Sequence, residues 1–212
     1  MGLKKTTDTA TLRPVEAREY TRDMGGLVAQ LLDADPAVRR WAARDLATQP
    51  KAAQALCARL AEERDAGVRS ALFTSVSHIA IGERGSDVVQ ALLPMLRSED
   101  PGLRNGVIEV LSALPDAVAP HIEALLRDAD SDVRIFTVNL LGDLPHPKVP
   151  RWLQQVLLED SAVNVVGAAL EVLAEVGTVE SLPALRAVAK RFAGEAFIGF
   201  AVSLAVERIE TS

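Results

Sequence analysis

Apolar residues recur along this chain at the spacing that lines one face of a helix. Leu27/Leu31, Leu92/Leu96, Ile122/Leu126 and Trp152/Val156 are pairs four apart. Each precedes a second apolar run. One such run is Leu103, Gly106, Val107, Val110 and Leu111; another is Val133, Phe136, Thr137, Leu140 and Leu141. The pattern predicts helices in pairs. Small residues inside the second helices (Ala42, Ala71, Gly106, Gly167) predict close helix approach.

A short motif separates the two helices of each pair. Asp35-Pro-Ala-Val-Arg39 returns as Asp65-Ala-Gly-Val-Arg69, Asp100-Pro-Gly-Leu-Arg104 and Asp130-Ser-Asp-Val-Arg134. Asp160-Ser-Ala-Val-Asn164 loses the Arg, and Glu195-Ala-Phe-Ile-Gly199 loses both charges. Read this way, the intervals are 30, 35, 30, 30 and 35 residues. A short acidic side chain at this place is suited to cap the second helix. Pro36, Pro101, Ser131 and Ser161 follow it, as residues fitted to a turn or first helical position. The loop at Gly82 to Gly85 and the stretch near Phe192-Ala-Gly194 account for the two longer intervals.

The motif followed by an apolar helix resembles the HEAT repeat, in the short bacterial subtype named after phycobilisome-lyase-like proteins. The resemblance runs from about Thr21 to the C-terminus. It implies an all-α fold, a right-handed α-solenoid of about six hairpins. The repeats are placed at about 21–50, 51–82, 83–115, 116–145, 146–177 and 178–212. Residues 1–20 form a polar segment, partly disordered or capping the first repeat. The last unit reads as a terminal capping repeat.

Composition narrows the classes. The 212 residues carry a net charge of −6, 49% hydrophobic residues and 4% aromatics. With so few rings, the core must be aliphatic. A single Cys excludes an internal disulfide, and three scattered His offer no ordinary zinc site. No long uncharged apolar run predicts a membrane span. Residues 1–50 carry eight basic and seven acidic groups, so the remainder is net acidic and a poor match for duplex nucleic acid. Met1-Gly2 with Thr6 matches a loose myristoylation pattern, read here as a polar start.

Arg39, Arg69, Arg104 and Arg134, with Asp35, Asp65, Asp100 and Asp130, form a ladder read as structural: each Arg bonds acidic or carbonyl groups of its own or the neighbouring repeat. Cys57 shares the helical position of Leu27 and Leu92 and is read as core. Trp41, Phe136 and Trp152 also map to the core, and Phe73 and Phe200 to the outer face of the second helices.

With the motif Val as zero, positions +2, +5, +6 and +9 point away from the core face. They run from basic (Arg40, Arg44) through polar (Asn139) to apolar (Ile135, Val138, Val165, Val172, Phe200, Leu204). These nine residues are the expected partner-binding set. The alternative for the +5 column is inter-repeat core.

No nucleophile, acid–base pair, phosphate loop, metal cluster or cofactor site stands out. The expectation is therefore a cytoplasmic scaffold without enzymatic activity, holding a protein or peptide along its concave face. A second copy of the chain would also suit that face; a membrane is not expected, and nucleic acid only as an alternative. One alternative is a nucleic-acid binder or an enzyme like the HEAT-like DNA glycosylases. Another is a bilin lyase or chromophore chaperone; such lyases attach a chromophore to a partner's cysteine.

Overall fold

The computed structural model describes residues 21–211. The polar segment 1–20 and its myristoylation pattern lie outside them. The described residues form twelve α-helices and no strand. They pair as α1 (Met24–Gln30) with α2 (Pro36–Leu46), α3 (Ala53–Glu62) with α4 (Ala66–Ile79), and α5 (Gly85–Leu92) with α6 (Pro101–Ser112). The remaining pairs are α7 (Pro115–Leu125) with α8 (Ser131–Asp143), α9 (Val149–Glu159) with α10 (Val163–Val176), and α11 (Leu182–Arg191) with α12 (Ala196–Thr211).

The second helices begin where the motif acids cap them. Ala37 N–H donates to Asp35 Oδ1 at 2.8 Å, Val68 to Asp65 at 2.9 Å, Leu103 to Asp100 at 3.0 Å and Asp132 to Asp130 at 2.9 Å. Each bond satisfies one of the donors that a helix start leaves open. Pro36 and Pro101 open their helices with φ already set and no N–H to satisfy.

The fifth repeat departs from the spacing read in the sequence. Its second helix is capped at Ala162, not Asp160, and Val166 N–H donates to the Ala162 carbonyl. The same first-turn bond joins Arg69 to Asp65, Arg104 to Asp100, Arg134 to Asp130 and Gly199 to Glu195. Ala162 thus stands where Asp130 stands one repeat earlier, and the intervals become 30, 35, 30, 32 and 33 residues. Every side chain of α10 is shifted by two positions from the expected register.

Second helices stack on one another in one layer, α2 on α4 through to α10 on α12. First helices form the other layer, with α3 on α5, α5 on α7 and α9 on α11. One aliphatic core runs from Leu27 to Ile209 between the layers. No hairpin could bury its apolar face alone; each neighbour completes it. A wide helical turn over Ala80–Arg84, kinked at Gly82, joins α4 to α5.

Small residues allow the expected close approach. A Cβ on Gly106 would overlap the Phe73 ring of the preceding second helix. A Cβ on Gly167 would stand 2.8 Å from the Phe197 ring of the following one. Trp152 is buried and stacks on His146, with ring centroids 4.9 Å apart. Phe136 is half-buried beneath the Arg104 guanidinium, 4.5 Å from its ring centroid.

Trp41 corrects the core reading: it is 57% exposed. Its position, three beyond the motif Val, faces the preceding second helix, as Gly106 faces Phe73 and Phe136 meets Arg104. Trp41 belongs to the first hairpin, and no earlier second helix exists among the described residues. Arg44 covers it instead, 5.2 Å from the ring centroid.

Candidate functional site

The motif Arg residues are held at the ends of the hairpins. Each reaches back to the carbonyl six residues before it: Arg39 to Asp33, Arg69 to Glu63, Arg104 to Ser98 and Arg134 to Asp128. Three also reach forward into the next repeat. Arg39 Nε donates to Glu63 Oε2 at 2.8 Å, Arg134 Nε donates to Asp160 Oδ2 at 2.7 Å, and Arg69 pairs with Asp100 at 2.8 Å. Arg104 lies instead on the Phe136 ring, and Asp128 is held by Arg97.

A second polar column, two residues before the capping acid, escaped the motif reading. Asp33, Glu63, Ser98 and Asp128 stand two residues before the capping acid, and each accepts the N–H of that acid. Asp160 belongs to this column, accepting from Ala162 N–H. The signal was present as Asp33-Ala-Asp35, Glu63-Arg-Asp65 and Asp128-Ala-Asp130. Burial by itself would push Glu63 up; hydrogen bonds from Arg39, the Asp65 N–H and Arg59 reverse this and hold it at about 2. These charges are consumed by repeat stacking, so chemistry must be sought elsewhere.

The surface of the second-helix layer is the remaining place. Its expected apolar strip breaks up. Val138 and Val165 are fully buried, which corrects their assignment to a binding face. Val138 lies in the +5 column, packed between repeats. Val165 takes the place of the motif Val itself once the two-residue shift is applied. Ile135 and Val172 are half-buried against the core. Arg44 and Asn139 are exposed, Arg40 is half-buried, and the last helix exposes Phe200 and Leu204. In the corrected register the +6 column reads Arg44, Thr74, Glu109, Asn139, Glu171 and Leu204, all exposed. This column therefore begins basic, alternates polar and acidic residues, and becomes apolar only on α12.

Between α4 and α6 this face opens into a cleft of about 590 Å³. Phe73 and Gly106 line it, with Arg69, Ser70, Thr74, Asn105 and Glu109. The absent side chain of Gly106 makes room for the Phe73 ring, which stays half-buried. The cleft offers a ring, a carboxylate, an amide and hydroxyls in one place. A conjugated ligand with several N–H donors would match that set.

Cys57 takes no part in this surface. It is buried in α3, and burial pushes its thiol up to about 11. Among the described residues no group of acids, His and Cys is arranged to hold a metal ion. No helix among them is long and apolar enough to cross a membrane.

Residues 118–193 match the family model for HEAT repeats. The bilin biosynthesis protein PecE of Mastigocladus laminosus is 31% identical over 155 residues, which is 71% of this chain and 55% of that protein. The chain thus spans about half the length of the curated relative that it matches. A designed armadillo repeat protein superposes with a TM-score of 0.43 at 16% identity, over 88% of this chain and all of the other. The complex of CpcE and CpcF of phycocyanin lyase from Nostoc sp. PCC7120 gives a TM-score of 0.37 at 17% identity, over 92% and 97%. The likeness to a bilin biosynthesis protein overturns the expectation that the chain has no enzymatic activity, while the repeat fold still supports protein binding.

Proposed function

Taking the chain as a HEAT-repeat protein, we propose that it holds a bilin and takes part in attaching it to the cysteine of another protein. The observation that carries this reading is the 31% identity to a bilin biosynthesis protein over 155 residues. The protein that accepts the bilin is held on the same solenoid, whose repeat architecture suits broad protein contacts.

The cleft between α4 and α6 is the seat assigned to the bilin. Its volume of about 590 Å³ lies within the usual range for small-molecule sites. An open-chain tetrapyrrole presents a conjugated plane, pyrrole N–H donors and propionate carboxylates. Phe73 supplies a face for stacking. Glu109 and the Asn105 carbonyl accept from N–H groups. The Ser70 hydroxyl donates to one of the carboxylates. The acceptor thiol comes from the partner, because Cys57 is buried and protonated at neutral pH.

Mixing the chain with a bilin tests this. The expected result is a shifted, sharpened absorbance band and faster formation of a denaturation-resistant adduct on an apo-phycobiliprotein subunit. Phe73→Ala and Glu109→Gln reduce both. An unchanged spectrum together with an unchanged rate of adduct formation overturns the reading.

A further inference from the structure

We infer that the outer face of α12, with the edge of α10, docks a basic amphipathic helix of a partner protein. Phe197, Phe200 and Leu204 are 53%, 69% and 38% exposed. Their spacing puts them on one stripe of α12, and Phe197 rests on Gly167 of α10. Elsewhere in this layer, apart from Trp41, which Arg44 covers, the large apolar side chains near the surface are half-buried between repeats, as Phe73 and Ile135 are. An exposed run of two rings and a Leu on one helix is the kind of surface that proteins use for contact.

Charge selects the occupant. Glu171 of α10 stands at the same repeat position as Leu204 of α12, and Glu207 lies one turn beyond Leu204. Both are exposed and make no ion pair with the described residues. Glu175 adds a third carboxylate, bridged at 4.0 Å to Arg208. An apolar stripe bordered by Glu171 and Glu207, two carboxylates without ion pairs among the described residues, favours a helix with an apolar seam flanked by Lys or Arg, and repels an acidic one. This surface is on the last hairpin, away from the α4–α6 cleft, and its argument does not depend on the bilin.

The test uses fluorescent helical peptides of about 18 residues, five turns, with a Leu seam flanked by Lys or by Glu. Fluorescence anisotropy with the whole chain is expected to show saturable binding of the Lys peptide only, weakening as salt is raised. Phe200→Glu and, separately, Glu171→Lys combined with Glu207→Lys each lower that affinity at least about tenfold, while circular dichroism stays unchanged. Arg44→Glu, at the far end of the layer, leaves it unaltered. Equal binding of both peptides, or Lys-peptide binding that survives both sets of substitutions, overturns the inference. So does sedimentation showing a dimer that Phe200→Glu dissolves, because the occupant is then a second copy. A bilin absorbance shift abolished by Phe200→Glu but not by Phe73→Ala overturns it too, and moves the bilin to this end.

Discussion

Arg39 and Glu63, twenty-four residues apart, are joined by two parallel hydrogen bonds, Nε to Oε2 at 2.8 Å and Nη2 to Oε1 at 2.9 Å. Both side chains are nearly excluded from water. Arg59 donates to the same carboxylate at 3.0 Å, and the Arg64 and Asp65 N–H groups complete its shell. The pair ties the second helix of the first hairpin to the loop between the two helices of the second.

Breaking one side of that pair leaves a buried charge without its partner. Glu63→Ala is expected to cost about 3 kcal/mol or more. Replacing both Arg39 and Glu63 with apolar residues costs much less than the sum of the two single changes. Urea unfolding of the two single variants and the double variant checks this.

The same carboxylate gives stability a pH dependence. Glu63 is held at about 2, against 4.5 for an unperturbed Glu. A depressed carboxyl favours the folded state fully above about pH 4.5, and that share is lost as pH falls toward about 2. Asp100, through Arg69 and the Leu103 N–H, is lowered in the same direction. Glu63→Gln loses this stability at every pH. Its deficit relative to the native chain is therefore expected to be largest near neutrality and to shrink between pH 4.5 and 2, in parallel denaturation series.

Gly106→Ala sets two effects against each other. In a helix interior the change gains about 1 kcal/mol of propensity. Here the new methyl overlaps the Phe73 ring. The steric cost of about 1–3 kcal/mol prevails. Combining Gly106→Ala with Phe73→Ala removes the conflict, so the double variant is more stable than the two single effects add up to. Thermal unfolding of the set measures the coupling.

Cys57 should resist modification. Its burial and its thiol pushed up to about 11 leave almost no accessible thiolate at pH 8. A chromogenic disulfide reagent is expected to react slowly with the native chain and at the rate of a free thiol after denaturation. Rapid native labelling would mean that α3 opens readily from the core.

The sequence alone determined the hairpins, the six-fold repetition and the aspartate caps of the second helices from Asp35 to Asp130. These are local properties: a helical period is written within a few turns, and a cap bonds an N–H two or three residues away. Cys57 and Trp152 were legible as core for the same reason, because their place within one helix decided their burial.

Only the tertiary structure decided what depends on the neighbouring hairpin. Asp160 looks like another capping acid, yet it accepts Arg134 from the preceding repeat, and α10 begins two residues later. That shift buried Val165, while packing between repeats buried Val138. Trp41 occupies a position that faces a preceding helix, and it is exposed because that helix is lacking among the described residues. The α4–α6 cleft exists because Gly106 gives space to a ring thirty-three residues earlier. A helix can be read from its own residues, whereas the surface a solenoid offers is set by which side chains the next repeat covers.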